Sequence, residues 1–328
     1  MPVDPGSFRD PDSRVFLTDE GVFRALSERG REDWRALRSS SVFGELTGSG
    51  ALVATDELEV AVPDVVPGEW AAVLRHERVP FVSYPYEWTF GMLRDAALLQ
   101  LDTLRRCLDE GLMLKDSSPY NVQWRGAAPV FVDVGSFERL RDGEPWVGYR
   151  QFCMLFLYPL MLQAYKGVPF HAWLRGSIDG ITPAEFRGLI SFRDRFRKGV
   201  TPHVVLHSRL ERRYARVEGR TVERDVRRAG FSAELIKANV RRLRKLVDRL
   251  DWDPGTSAWT GYREDNSYAD EDAARKAAFV GAVASARRRG MVWARGANDG
   301  IYSRIAAPHA GAVLAMDADH PTVERLYR

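Results

Sequence analysis

A chain of 328 residues, 45% hydrophobic and 28% charged, has the balance of a soluble globular protein long enough for two cores. A formal net charge of +3 is too small to make nucleic acid the expected partner, and two cysteines, Cys107 and Cys153, exclude a disulfide framework and any CxxC zinc site. The polar amino terminus lacks an apolar h-region, and the longest apolar run, 152–165, is too short for a typical span and contains Pro159, so a cytoplasmic protein with no membrane partner is expected.

Residues 1–12 read as a flexible leader. "SRVFLTDEGVFRAL" (13–26) predicts a hairpin with Gly21 in its turn, and "REDWRALRSSSVFGEL" (31–46) a helix that Ser39–Ser41 weaken. "GALVAT" (50–55) and "VPFVSYPYEW" (79–88) read as strands separated by a Pro-rich loop and a short helix. In "TFGMLRDAALLQLDTLRRCLDEG" (89–111), Leu93, Ala97, Leu101, Leu104 and Leu108 keep the helical period, and Gly111 suits the stop. Beyond Pro145 the pattern is helical and apolar to His207, followed by a hairpin in "RYARVEGRTVERD" with Gly219 as its turn. "FSAELIKANVRRLRKLVDRLDW" predicts a basic amphipathic helix, with Leu235, Ile236, Val240, Leu243, Leu246, Val247 and Leu250 on its apolar face; a solvated helix packed on its domain is expected rather than a phosphate grip. A polar linker over 251–266 marks the domain boundary. A helix with Ser267 or Asp270 as its N-cap follows, and then strand, turn, helix, strand and the start of another helix. His203 and His207, four apart, lack a third metal ligand and read as packing or surface residues, while Trp88, Trp146 and Trp293 read as core.

Two constellations carry chemistry. In "GLMLKDSSPYNVQWRGAAPVFVDVGSF" (111–137), apolar strands end at Asp116 and Asp133, with Asn121 between them; such oxygens suit Mg²⁺, and an Asp can accept the proton of an attacking hydroxyl. D-x-x-x-x-N followed by D-x-G resembles the catalytic loop and metal motif of protein-kinase-like and aminoglycoside-phosphotransferase-like folds. The resemblance covers about residues 13–210. It implies Asp116 as catalytic base, Asn121 and Asp133 as Mg²⁺ ligands, and "SYPYEW" (83–88) as the hinge. The hairpin carries no G-x-G-x-x-G, the expected strand lysine is missing with Arg24 the nearest cation, and Ser118 stands where the loop lysine usually sits.

In "VWARGANDGIYSRIAAPHAGAVLAMD" (292–317), a strand runs into Gly296, Asn298 and Gly300 and then into a helix whose first amides are expected to be free for a ligand; Asp317 ends the next strand, 21 residues beyond Gly296. This resembles motif I of class I S-adenosylmethionine-dependent methyltransferases, although Ala294 stands where the family has an acid. The resemblance implies that Gly296, Asn298 and Gly300 line the cofactor's amino-acid end, that Asp317 holds its ribose, and that the helix carrying Tyr268 and Lys276 precedes the first strand.

The expected architecture is therefore multidomain, α/β and α+β. A two-lobed kinase-like region spans 13–250 (small lobe 13–88, helical lobe 89–250) and precedes residues 267–328, the first βαβ unit of a Rossmann-like methyltransferase domain truncated after its second strand. The expected function is S-adenosylmethionine-dependent methyl transfer to a small-molecule or protein acceptor, with the amino-terminal region positioning substrate or binding nucleotide. The alternatives are a Mg-ATP-dependent phosphotransferase and a catalytically inactive pseudokinase-type interaction module.

Overall fold

A computed structural model describes Asp4, Ser7 and residues 10–59, 65–141, 143–209, 232–260 and 270–328. The chain divides into two units, 1–86 with 93–250, and 87–92 with 251–328. The expected hairpin at 213–225, the cap Ser267, Tyr268, linker residues 261–266 and most of the leader lie outside the described residues.

In the first unit, β1 (Ser13–Leu17) and β2 (Val22–Leu26) form the expected antiparallel hairpin about Thr18–Gly21, and β3 (Thr55–Glu57) and β4 (Ala72–His76) complete a sheet of order β1-β2-β4-β3. Strand alternation sorts the two faces. Phe16, Phe23 and Ala25 pack with Val65 and Val66. Arg24 lies opposite Leu74, and His76 opposite both Val22 and Thr55, on the other face. The strand at 72–76 replaces the short helix read there, and "VPFVSYPYEW" is irregular apart from a 3₁₀ turn at Pro85–Glu87. Pro80 and Pro85 lack the amide that a ladder requires, whereas Ala72–His76 gains its ladder from β2 and β3. "GALVAT" contributes only a bridge from Leu52 to Phe131 before β3 begins at Thr55.

The serine run splits the expected helix into α1 (Glu28–Arg38) and α2 (Ser41–Gly48). The hydroxyls of Ser39 and Ser40 donate to the carbonyls of Ala36 and Leu37, satisfying acceptors that the next turn would have used. α3 (Phe90–Asp109) stops before Gly111, whose φ of +71° reverses the chain into β5 (Leu112–Leu114). The hairpin of β6 (Val122–Arg125) and β7 (Ala128–Phe131) follows, then β8 (Phe137–Arg139), which pairs antiparallel with β5.

The apolar run becomes α4 (Tyr149–Phe152), a π-helical turn at Cys153–Leu157 and α5 (Tyr158–Lys166), with every residue from 152 to 163 buried. α6 (His171–Gly176) and α7 (Pro183–Leu189) lead to a second π-helical turn at Thr201–Leu206. There Tyr149 Oη and His203 Nδ1 bond at 2.8 Å and Tyr158 Oη and His207 Nδ1 at 2.9 Å, so both histidines serve packing. α8 (Ala233–Asp248) buries Ile236, Val240, Leu243 and Val247 but leaves Leu235 56% exposed, off the face assigned to it. Lys237 and Arg244 on α8 pair with Asp109 and Asp102 of α3. Two of the helix's cations therefore hold it to its own unit, as expected of a packed helix.

In the second unit, α9 (Asp270–Ser285) opens with three acids, which suit the positive end of a helix dipole. β9 (Arg289–Arg295) pairs in parallel with β10 (Ala310–Met316), and the crossover contains α10 (Ile301–Ala306). α11 (His320–Tyr327) is capped by Asp319. Trp293 on β9 is 60% exposed, unlike Trp88 and Trp146, which are buried. Among the described residues no helix is long and apolar enough to cross a membrane.

Candidate functional site

Two places gather the residues singled out in the sequence, one in each unit. In the first, Asp116 follows β5, Asn121 precedes β6 and Asp133 follows β7, and main-chain bonds draw the three turns together: the Lys115 amide donates to the Ser136 carbonyl and the Val132 amide to the Asn121 carbonyl, each at 2.9 Å. Asp133 Oδ1 accepts from Arg24 Nη2 at 2.7 Å and from the Gly135 amide at 3.2 Å, and Oδ2 accepts from the Ser136 hydroxyl at 2.6 Å. Asn121 Nδ2 donates to that same hydroxyl at 3.0 Å. Burial alone would raise the Asp133 carboxyl, but the Arg24 guanidinium, the Ser136 hydroxyl, Lys115 and the Gly135 amide together hold it below the ordinary carboxylate range. Asp116 moves the other way: burial, with the Asp133 charge beside it, raises its carboxyl against the pull of Lys115.

Arg24 is 8% exposed, and its Nη1 donates to Ser13 Oγ at 3.1 Å, which donates in turn to Asp10 Oδ2 at 2.9 Å. His76, also buried, shares a 2.9 Å bond between Nδ1 and the Thr55 hydroxyl. Burial, and secondarily the Arg24 charge, lower this imidazole to about 3, so it is neutral. Gln100 Nε2 fixes the Asp116 carbonyl at 3.0 Å, and Gln123 clamps Ser83, accepting from its amide and donating to its carbonyl. Tyr84 and Tyr86 stack 5.5 Å apart next to this clamp.

Sequence reading brought Asp116, Asn121 and Asp133 together but missed Ser136, His76, Ser13, Gln100 and Gln123. The available signal was Arg24 itself, a cation inside the apolar strand "VFRAL", which requires a buried counter-charge. For magnesium the donor set is partly taken: Asp133 accepts from Arg24, Gly135 and Ser136, and Asn121 turns its Nδ2 toward Ser136.

In the second unit, the chain leaves β9 through Gly296 (φ +66°), Asn298 (φ +46°) and Gly300 (φ +77°), three left-handed residues in five. Asn298 adopts a conformation that its short polar side chain tolerates, and its Nδ2 donates to the Trp259 carbonyl. Asp317, just past β10, turns toward this bend: Oδ2 accepts from the Asn298 amide at 2.9 Å and Oδ1 from the Asp319 amide at 3.0 Å. Nothing lies within 4 Å of where a Gly296 side chain would stand, so the main chain there is open to a ligand. The first helical amide of α10, however, is capped by Asp299 Oδ1 at 3.2 Å rather than left free. Lys276 of α9 sits 4.5 Å from the centre of the Tyr302 ring. For an S-adenosyl group, the bend offers the open backbone at Gly296 and the second lone pairs of Asp317, each of whose oxygens already accepts one amide.

No family model matches the chain. Over 316 residues, 96% of its length, the chain is 31% identical to nodulation protein NoeA of Rhizobium meliloti (strain 1021), and it spans 65% of that relative's length.

Proposed function

We propose that the protein acts in S-adenosylmethionine-dependent methyl transfer, through the bend between β9 and α10, with the first unit positioning the acceptor or binding a nucleotide. The observation that carries this reading is the Asp317 carboxylate bonded at 2.9 Å to the amide of left-handed Asn298, at the tip of a parallel strand pair. When bound, the cofactor supplies an electrophilic methyl on a sulfonium, and its transfer is an in-line displacement that depends on alignment and the exclusion of water. The chain's own part is binding. Gly296 leaves the main chain approachable, Gly300 turns the chain against Leu326, and Asp317 holds Asn298 in place while its remaining lone pairs are offered to sugar hydroxyls. The methyl acceptor belongs to the proposal as a small molecule or a protein. Calorimetric titration of the chain with S-adenosylmethionine tests the reading: the wild type is expected to bind, and Asp317→Ala to weaken binding about tenfold, the loss of one or two hydrogen bonds. A wild type silent at millimolar cofactor refutes it.

The rival reading, Mg-ATP-dependent phosphoryl transfer, is favoured by Asp116, which the turns bring beside Asn121 and Asp133 and whose carboxyl is raised above its ordinary range by burial and the Asp133 charge. It requires ATP turnover that Asp116→Ala abolishes. Binding of neither ligand leaves the interaction module.

A further inference from the structure

We propose that Arg24 is a built-in cation standing where kinase-like folds place a divalent metal, so that the first unit keeps Asp133 and Asn121 in position without any metal ion. This inference is independent of the methyl-transfer reading, which rests on the second unit.

Three observations carry it. First, Asp133 already has a cation and two further donors: Oδ1 serves Arg24 and Gly135, Oδ2 serves Ser136, and Ser136 in turn accepts from Asn121. Mg²⁺ demands near-ideal octahedral oxygen geometry at about 2.1 Å and would have to displace these donors and sit against a guanidinium.

Second, Arg24 is held in place. Ser13 and Asp10 tie its other nitrogen from the β1 side, and Gly135 leaves it room, because a Cβ there would lie 2.7 Å from Arg24 Nη1 and push the guanidinium aside. Glycine at 135 thus makes room for the cation rather than for an unusual backbone; its φ is not among the left-handed ones.

Third, His76 is matched to Arg24. The Thr55 hydroxyl donates to the Val53 carbonyl at 3.1 Å, so it accepts from His76 Nδ1–H, and the imidazole presents Nε2 as a bare acceptor. His76 Nε2 and Arg24 Nε–H are both buried without a partner among the described residues, an acceptor and a donor two ladder positions apart on one sheet face. A neutral histidine there adds no competing charge to the guanidinium.

Manganese titration followed by electron paramagnetic resonance, with and without ATP, reads metal binding, and thermal unfolding in MgCl₂ reads its effect on the fold. The wild type is expected to bind no Mn²⁺ through the protein below millimolar concentration, and to show no Mg²⁺-dependent shift. Arg24→Met, which leaves Asp133 bare, is expected to gain an Mn²⁺ site at least tenfold tighter than any wild-type binding and to be stabilised by added metal. The double variant Arg24→Met/Asp133→Asn, lacking both charges, is expected to fold without metal and to bind none. Wild-type Mn²⁺ binding that Asp133→Asn abolishes overturns the proposal, as does a folded Arg24→Met variant that gains no metal. Should Arg24→Met fail to fold, the wild-type titration alone decides.

Discussion

The two candidate sites use glycine for opposite reasons. Gly135 has ordinary backbone and is small because Arg24 lies against it; Gly296 has open space around it and is glycine because its φ of +66° is left-handed. The first site is built from side chains that answer one another in a buried network, and the second from main chain that a carboxylate holds in an unusual path. A closed network reveals its role by which polar groups are already taken. An open backbone reveals its role by what it leaves approachable.

The largest expected effect removes the first site's cation. Arg24→Met leaves Asp133 partly buried and unpaired, and is expected to cost about 3–5 kcal/mol in urea unfolding without metal, the usual penalty for one half of a buried pair. A loss below about 1 kcal/mol would mean that the network tolerates a bare carboxylate, erasing the contrast with the second unit.

Acidification comes next. His76, lowered to about 3 by burial and by Arg24, is neutral in the fold, whereas in the unfolded chain it takes up a proton near its ordinary 6.5. Between those values the unfolded state binds more protons, so stability is full above about pH 6.5 and declines as pH falls toward 3, at most by about 1.4 kcal/mol per pH unit. His203, lowered to about 4 by burial and by His207, contributes with the same sign. Unfolding midpoints at pH 7.0 and 5.0 are expected to differ less in His76→Gln than in the wild type. Equal differences would place His76 outside the linkage.

The smallest expected effects separate the two glycines directly. Gly135→Ala forces Arg24 aside and is expected to cost about 2 kcal/mol as overpacking, while Gly296→Ala meets no neighbour and costs about 1 kcal/mol through its left-handed φ alone. Denaturation of both variants, read with cofactor titration, sharpens the comparison: Gly296→Ala is expected to affect binding more than stability, and Gly135→Ala the reverse.

What could be read from the sequence follows from which interactions are local. The β1–β2 hairpin, α3 with its Gly111 stop, the apolar face of α8 apart from Leu235, and the strand-bend-strand order around Gly296 and Asp317 depend on neighbours within a few turns of chain. The gathering of Asp116, Asn121 and Asp133 followed from strands that end on the same edge. The Arg24–Asp133 pair joins residues far apart in the chain, and no local pattern specifies it. The strand at Ala72–His76 is not legible in the sequence because its five residues "AVLRH" carry little alternation of their own, and β2 on one side and β3 on the other decide their form. Trp293 reads as core in the sequence yet is exposed, because an aromatic in an apolar strand gives no sign of which face is covered.

The π-helical turn at Cys153–Leu157 has its own lesson for how this chain tolerates change. A π turn slips one additional residue into a helix and rotates everything downstream by roughly a quarter turn. On an amphipathic rod such as α8, that rotation would swing arginines inward and leucines out, a heavy penalty. Between Phe152 and Gln163, where all sides are enclosed, the rod has no wet stripe to misalign, and its azimuth is set instead by directional contacts such as Tyr158 Oη on the His203 carbonyl and His207.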